Sequence, residues 1–179
     1  RITIIFLKEY KMKKINILIY SIAFGFFAQS CGDTNQEENI NLNIIEVITS
    51  DPNKSPFYFN FLTGEENNNV WQLSYKALAA GQGYFMPSID LSDKILLFVE
   101  NDKSFNEIDS APTATSFVAG NSKLSYGGEH EVLSYDMTIH KIGVSDATFI
   151  IYDTTSERAF KLKFVSYDSW IVTYKYSEL

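Results

Sequence analysis

The sequence predicts an all-β fold: a single antiparallel domain, meander or sandwich-like, with at most one short helix. Three observations carry this. The chain of 179 residues holds 11 Tyr and 14 Phe, and aromatic and β-branched residues suit the pleated, half-buried surface of a sheet. Several segments alternate apolar and polar residues with period two, and few show a helical period. Clusters of Gly, Asn, Asp and Ser punctuate these segments at the spacing of turns.

Leu42 to Thr49 reads as the first strand. Phe57-Tyr58-Phe59-Asn60-Phe61 alternates and places three phenylalanines on one face. Thr63 to Asn69 is a turn. Trp71-Gln72-Leu73-Ser74-Tyr75 alternates again, with Trp71, Leu73 and Tyr75 directed inward. Between Ala77 and Met86, Gly81 and Gly83 predict a bent backbone. Ile95 to Val99 is a strand. Asp102 or Ser104 is placed to cap the one short helix, which ends near Pro112. Gly127-Gly128 turns the chain into a strand from Val132 to Ile142. Thr148 to Tyr152, Phe160 to Val165 and Trp170 to Tyr176 complete a meander, joined at the polar turns Asp153–Glu157 and Asp168-Ser169. In Phe160-Lys161-Leu162-Lys163-Phe164 the alternation puts apolar residues inside and both lysines outside.

The N-terminal part has a different character. Lys13 and Lys14 precede an apolar run from Ile15 to Phe27, followed by Ala28-Gln29-Ser30 and Cys31. A positive start, an apolar core and a small-residue cleavage site describe a secretory signal over residues 1–30. The run is too short for an ordinary spanning helix of about 20 residues. Translation is expected to start at Met12, leaving residues 1–11 upstream of it. Cys31 is the one cysteine, so no disulfide forms within the chain. Its position resembles that of the lipidated cysteine of bacterial lipoproteins, with Ala28-Gln29 in place of the usual pair before the small residue. The resemblance implies a covalent lipid on Cys31 as membrane anchor. Residues 31–41 then form an acidic, flexible tether, and residues 42–179 the domain. An acidic stretch of this kind resembles the segment that routes some lipoproteins to the outer face of the outer membrane.

The formal charge of the chain is −7. The first thirty residues hold five basic side chains against one acid, so the remainder is more acidic still. Such a surface repels phosphate backbones, which excludes nucleic acid as a natural partner. No nucleophile elbow, zinc-protease helix, P-loop or dinucleotide fingerprint occurs, and a lipidated Cys31 leaves no thiol for catalysis or metal binding. The chain is therefore read as non-enzymatic. His130 stands between Glu129 and Glu131, a setting open to a metal ion but ordinary for a solvated turn. His140 follows Tyr135-Asp136-Met137-Thr138-Ile139. In a straight strand Met137 and His140 would lie on opposite faces.

Several segments together resemble one family. Tyr58-Phe59-Asn60-Phe61, Thr63-Gly64 and Trp71 to Tyr75 are similar to the opening of the HmuY-type haem-binding lipoproteins. Ser104-Phe105-Asn106-Glu107-Ile108 with Ala111-Pro112 resembles a further segment of that family. Tyr135 to His140, Phe149 to Tyr167 and Trp170 to Tyr176 resemble three more, in the same order, over about Phe57 to Leu179. The resemblance implies an all-β surface lipoprotein that binds haem between axial side chains and passes it to an outer-membrane haem receptor for iron acquisition. Imidazole and thioether groups ligate haem iron, so His140, Met137, His130 and Met86 are the candidate haem ligands. The chain departs from the family in two places. Ala77 to Tyr84 replaces a glycine-rich stretch, and Val118 to Gly128 spans the region of a longer segment. The other reading is a structural, adhesive or glycan-binding lipoprotein without haem.

Overall fold

Short runs of β-branched and aromatic residues, each closed by a turn, build thirteen strands among the described residues. The computed structural model describes residues 43–119, 124–126 and 130–179. Cys31, the signal segment and the tether lie outside the described residues. The strands are β1 (Ile45–Ile48), β2 (Phe57–Asn60), β3 (Glu65–Glu66), β4 (Leu73–Gly81), β5 (Tyr84–Leu91), β6 (Ile95–Glu100), β7 (Val118–Ala119), β8 (Ser125–Tyr126), β9 (Glu131–Asp136), β10 (Lys141–Val144), β11 (Thr148–Asp153), β12 (Arg158–Asp168) and β13 (Ile171–Glu178). They form a six-stranded sheet in the order β1-β13-β12-β11-β6-β7, a four-stranded sheet β3-β2-β4-β5 and a three-stranded sheet β10-β9-β8. Pairing is antiparallel except between β8 and β9, which run parallel.

The predicted all-β antiparallel fold is therefore the observed one. The only helical pieces among the described residues are two three-residue 3-10 turns, Phe105–Glu107 and Ala114–Ser116. The first sits where the sequence placed its short helix. Ser104 and Glu107 cap each other across it, with Glu107 Oε2 accepting from the Ser104 amide at 2.8 Å. It stops after one turn because Ile108 is already extended.

The phenylalanine face of β2 meets the aromatic face of the large sheet. Phe59 packs edge-on against Tyr174 and Tyr176, as does Phe61 against Tyr176, and Phe61 lies tilted against Phe160, with ring centroids 5.0–5.8 Å apart. Edge-to-face pairs add to the burial itself. Leu73, Tyr75, Ile89 and Leu91 extend this core along β4 and β5. Leu124, Val132 and Leu133 bring the third sheet into it. Gly64, at φ +72°, lets the chain pass close to the Tyr176 hydroxyl, which lies 3.2 Å from where a Cβ would be.

Trp71 does not point into the core with Leu73 and Tyr75: it is half-buried just before β4, against Tyr58. Two further expectations need correction. Lys161 is not outside: it is fully buried. The segment around the first 3-10 turn covers that face of β12, and Lys161 Nζ donates to the carbonyls of Phe105 and Ile108 while lying 4.7 Å from the Phe105 ring centroid. A buried ammonium survives when carbonyl oxygens replace its water; desolvation still pulls its pKa down. Lys163 is half-buried, its Nζ held by the Asp146 carbonyl. Second, the stretch from Val132 to Ile142 is not one strand. It is the β9–β10 hairpin, broken by a turn over residues 137–140.

Candidate functional site

Two hairpins carry apolar side chains that the fold does not bury. The first is the far end of the β4–β5 ribbon. Gly81 pairs with Tyr84, leaving Gln82-Gly83 as a two-residue loop with φ of +50° and +78°. Positive φ at both positions is the turn that matches strand twist. A bulge between Ala79 and Gly81 bends the ribbon just before it. Period-two alternation puts Leu78 and Met86, which face each other across the pair, on the side opposite the core residues Tyr75 and Ile89. Leu78, Tyr84, Phe85 and Met86 are all exposed, Tyr84 to 70%.

The second is the β9–β10 hairpin. Asp136 Oδ1 accepts from the amides of Thr138 (2.7 Å) and Ile139 (3.4 Å), which folds residues 137–140 into a tight loop. Such an Asx turn satisfies loop amides locally. Met137 is 78% exposed and Ile139 59%. His140 closes the loop at φ +52°, an uncommon conformation for a residue other than glycine. Its Nδ1 lies 2.8 Å from the Tyr135 hydroxyl. With the proton on Nδ1, the hydroxyl accepts it and the Nε2 lone pair is the one available to a metal, the arrangement by which second-shell partners orient ligating histidines.

The four candidate ligands are thus distributed over three places. Met137 and His140 share one turn, so the opposite-face expectation fails because the chain there is not a strand. Met86 sits on the other hairpin. His130 lies in a turn, as expected, but is half-buried there and lines a cleft of about 430 Å³ with Phe98, Val118, Glu131 and Ala147. His130 and His140 flank β9 at its two ends, some 20 Å apart by strand rise, so one iron cannot take both. Among the described residues no three His, Cys, Asp or Glu side chains gather as a metal cluster.

Tyr135, which contacts His140, and the exposed apolar trio Leu78, Tyr84 and Phe85 belong to the candidate surface and were passed over in the sequence reading. Their signal was present: apolar residues flanking a Gly-Gln-Gly turn project beyond any core. The third sheet joins the two hairpin systems, since β8 runs against β5 as well as beside β9.

Comparison with known proteins finds no matching family model and no matching curated sequence.

Proposed function

We propose that the protein is a non-enzymatic surface lipoprotein, anchored to the outer membrane through Cys31, that binds haem or a related porphyrin for iron acquisition and hands it to an outer-membrane receptor. The reading rests chiefly on His140: an exposed imidazole on an apolar hairpin tip, with Nδ1 engaged by Tyr135 at 2.8 Å. Exposed apolar side chains clustered at a hairpin tip suit contact with an apolar ligand. A porphyrin offers a flat apolar face to such side chains and an iron to an imidazole or thioether. His140 is the preferred axial ligand, with Met137 beside it and Met86 on the second hairpin as the sulfur candidates. The resemblance to HmuY-type lipoproteins points the same way.

The test is a haem titration of the purified protein followed by its Soret absorbance, in oxidised and reduced forms. A saturable shift is expected, weakened in His140→Ala and altered in Met137→Ala or Met86→Ala. His130→Ala should leave it unchanged. A flat titration sinks the haem reading and leaves the fold untouched.

A further inference from the structure

A second concavity lies at the other end of the β4–β5 ribbon, next to Leu73 rather than Gly81. It has a volume of about 490 Å³ and is walled by Trp71 and Val70 together with Asn69, Asp93, Lys94 and Thr155. All six belong to connections between strands. Binding residues concentrate on such loops when a scaffold holds them still.

Here the scaffold does hold them. Gln72 and Asp153 are 4% and 3% exposed. Gln72 Nε2 donates to Asp153 Oδ2 at 3.0 Å, and Gln72 Oε1 accepts from the Phe61 amide at 2.9 Å. Asp153 Oδ1 accepts from the Thr155 amide at 2.8 Å. The Lys94 carbonyl accepts from both the amide (3.0 Å) and the hydroxyl (2.8 Å) of Thr154. Asn67 Oδ1 accepts from the amides of Asn69 and Val70. The loops after β2, β3, β5 and β11 are therefore tied to one another through buried or local hydrogen bonds. Trp71 is fixed in turn by Tyr58, with ring centroids 5.3 Å apart, and by Lys76 Nζ, 5.6 Å from the indole centroid. A site held this way loses little freedom on binding.

The chemistry of the walls narrows the ligand. The charged lining is Asp93, Lys94 and the buried Asp153, whose oxygens already accept from Gln72 and Thr155, so the exposed charges are one carboxylate and one ammonium and an anion meets no cationic cluster. Its lining mixes one indole with amide, hydroxyl and carboxylate groups. An acyl chain would leave those polar groups unpaired, at a cost. A sugar ring matches both parts: its C–H face lies on an aromatic ring, and its hydroxyls pair with side-chain oxygens and nitrogens. The size is that of an ordinary small-ligand site. We propose that this cleft binds a neutral saccharide, with Trp71 as the platform and Asp93, Asn69 and Thr155 as hydroxyl partners. It is independent of the porphyrin reading and uses none of its residues.

The chain has two tryptophans, so the indole N–H signals of Trp71 and Trp170 are separable reporters in a proton–nitrogen NMR spectrum. The full chain is titrated with maltose, cellobiose, lactose and diacetylchitobiose, each to millimolar concentration. The expected result is a saturable shift of the Trp71 signal with at least one of them, while Trp170 stays in place. Asp93→Ala, at an exposed position, should then weaken binding by about tenfold or more, the loss of a hydrogen bond to a charged group. No shift of Trp71 with any of the four overturns the proposal. So does a shift that is unchanged in both Asp93→Ala and Asn69→Ala.

Discussion

The two ends of the β4–β5 ribbon are written in the same kind of residue and have opposite fates. At one end Leu73, Tyr75, Ile89 and Leu91 are at most 3% exposed; at the other Leu78, Tyr84, Phe85 and Met86 are 37–70% exposed. Burial of a large apolar side chain contributes about 1.5–3 kcal/mol, which accounts for the first set through folding alone. The second set contributes little to folding, because these side chains remain largely in water.

The largest expected effect separates the two sets. Phe59→Ala, at the centre of the aromatic core, should destabilise by about 3–5 kcal/mol, read from chemical denaturation. Phe85→Ala should change stability by no more than about 0.5 kcal/mol. Equal losses would mean that the ribbon tip is part of the core.

Lys161→Met comes next. It keeps the stem's volume and removes the ammonium, leaving the Phe105 and Ile108 carbonyls without their donor. A loss of about 1–3 kcal/mol is expected, with earlier proteolysis in the 104–119 segment. No change in either would show that Lys161 does not pin that segment.

Alkaline pH acts on the buried end of the comparison. Desolvation raises the pKa of Tyr75, Tyr174 and Tyr176 above the ordinary value of 10.0. Below pH 10 folded and unfolded forms both hold these protons. Above it the unfolded chain releases them first, so stability falls as pH rises through the folded values. Lys161, shifted down, works in the opposite sense below its ordinary 10.5, but it is one group against three. The exposed tyrosines, Tyr84 and Tyr135 among them, ionise in the folded protein, but the phenolate absorbance of Tyr75, Tyr174 and Tyr176 should appear only together with unfolding. Full titration of these tyrosines in a still-folded protein would contradict their burial.

The smallest effect is at the turn. Gln82 holds φ +50°, which asparagine adopts more readily. Gln82→Asn should stabilise by about 0.5 kcal/mol or less, visible as a slight rise in melting temperature. A clear destabilisation would argue that the ribbon tip is not this two-residue turn.

Much of the fold was legible because period-two alternation is local. Phe57, Phe59 and Phe61 face the core as their spacing required, and the strands from Thr148 onward fall where their turns placed them. What failed was long-range. The spacing of Lys161 sets its face of the sheet, but nothing near it in sequence says that a loop fifty residues earlier covers that face. The break of the Val132–Ile142 stretch was missed because Tyr135, Met137 and Ile139 imitate a strand, while Asp136, the residue that folds the turn, looks like its polar alternate. The candidate site suffered most from this. His140 and Met137 were parted by a strand that does not exist, and Tyr135, the partner of His140, was given no role.

The most direct test is a haem titration of the Tyr84→Ser/Phe85→Ser double variant beside the wild-type protein. If the bare tip is ligand surface, haem affinity should fall by about tenfold or more, the loss of one buried aromatic contact, while the melting temperature stays within a few degrees. Unchanged affinity for haem in the variant would contradict the account, since the apolar tips would then have no part in holding it.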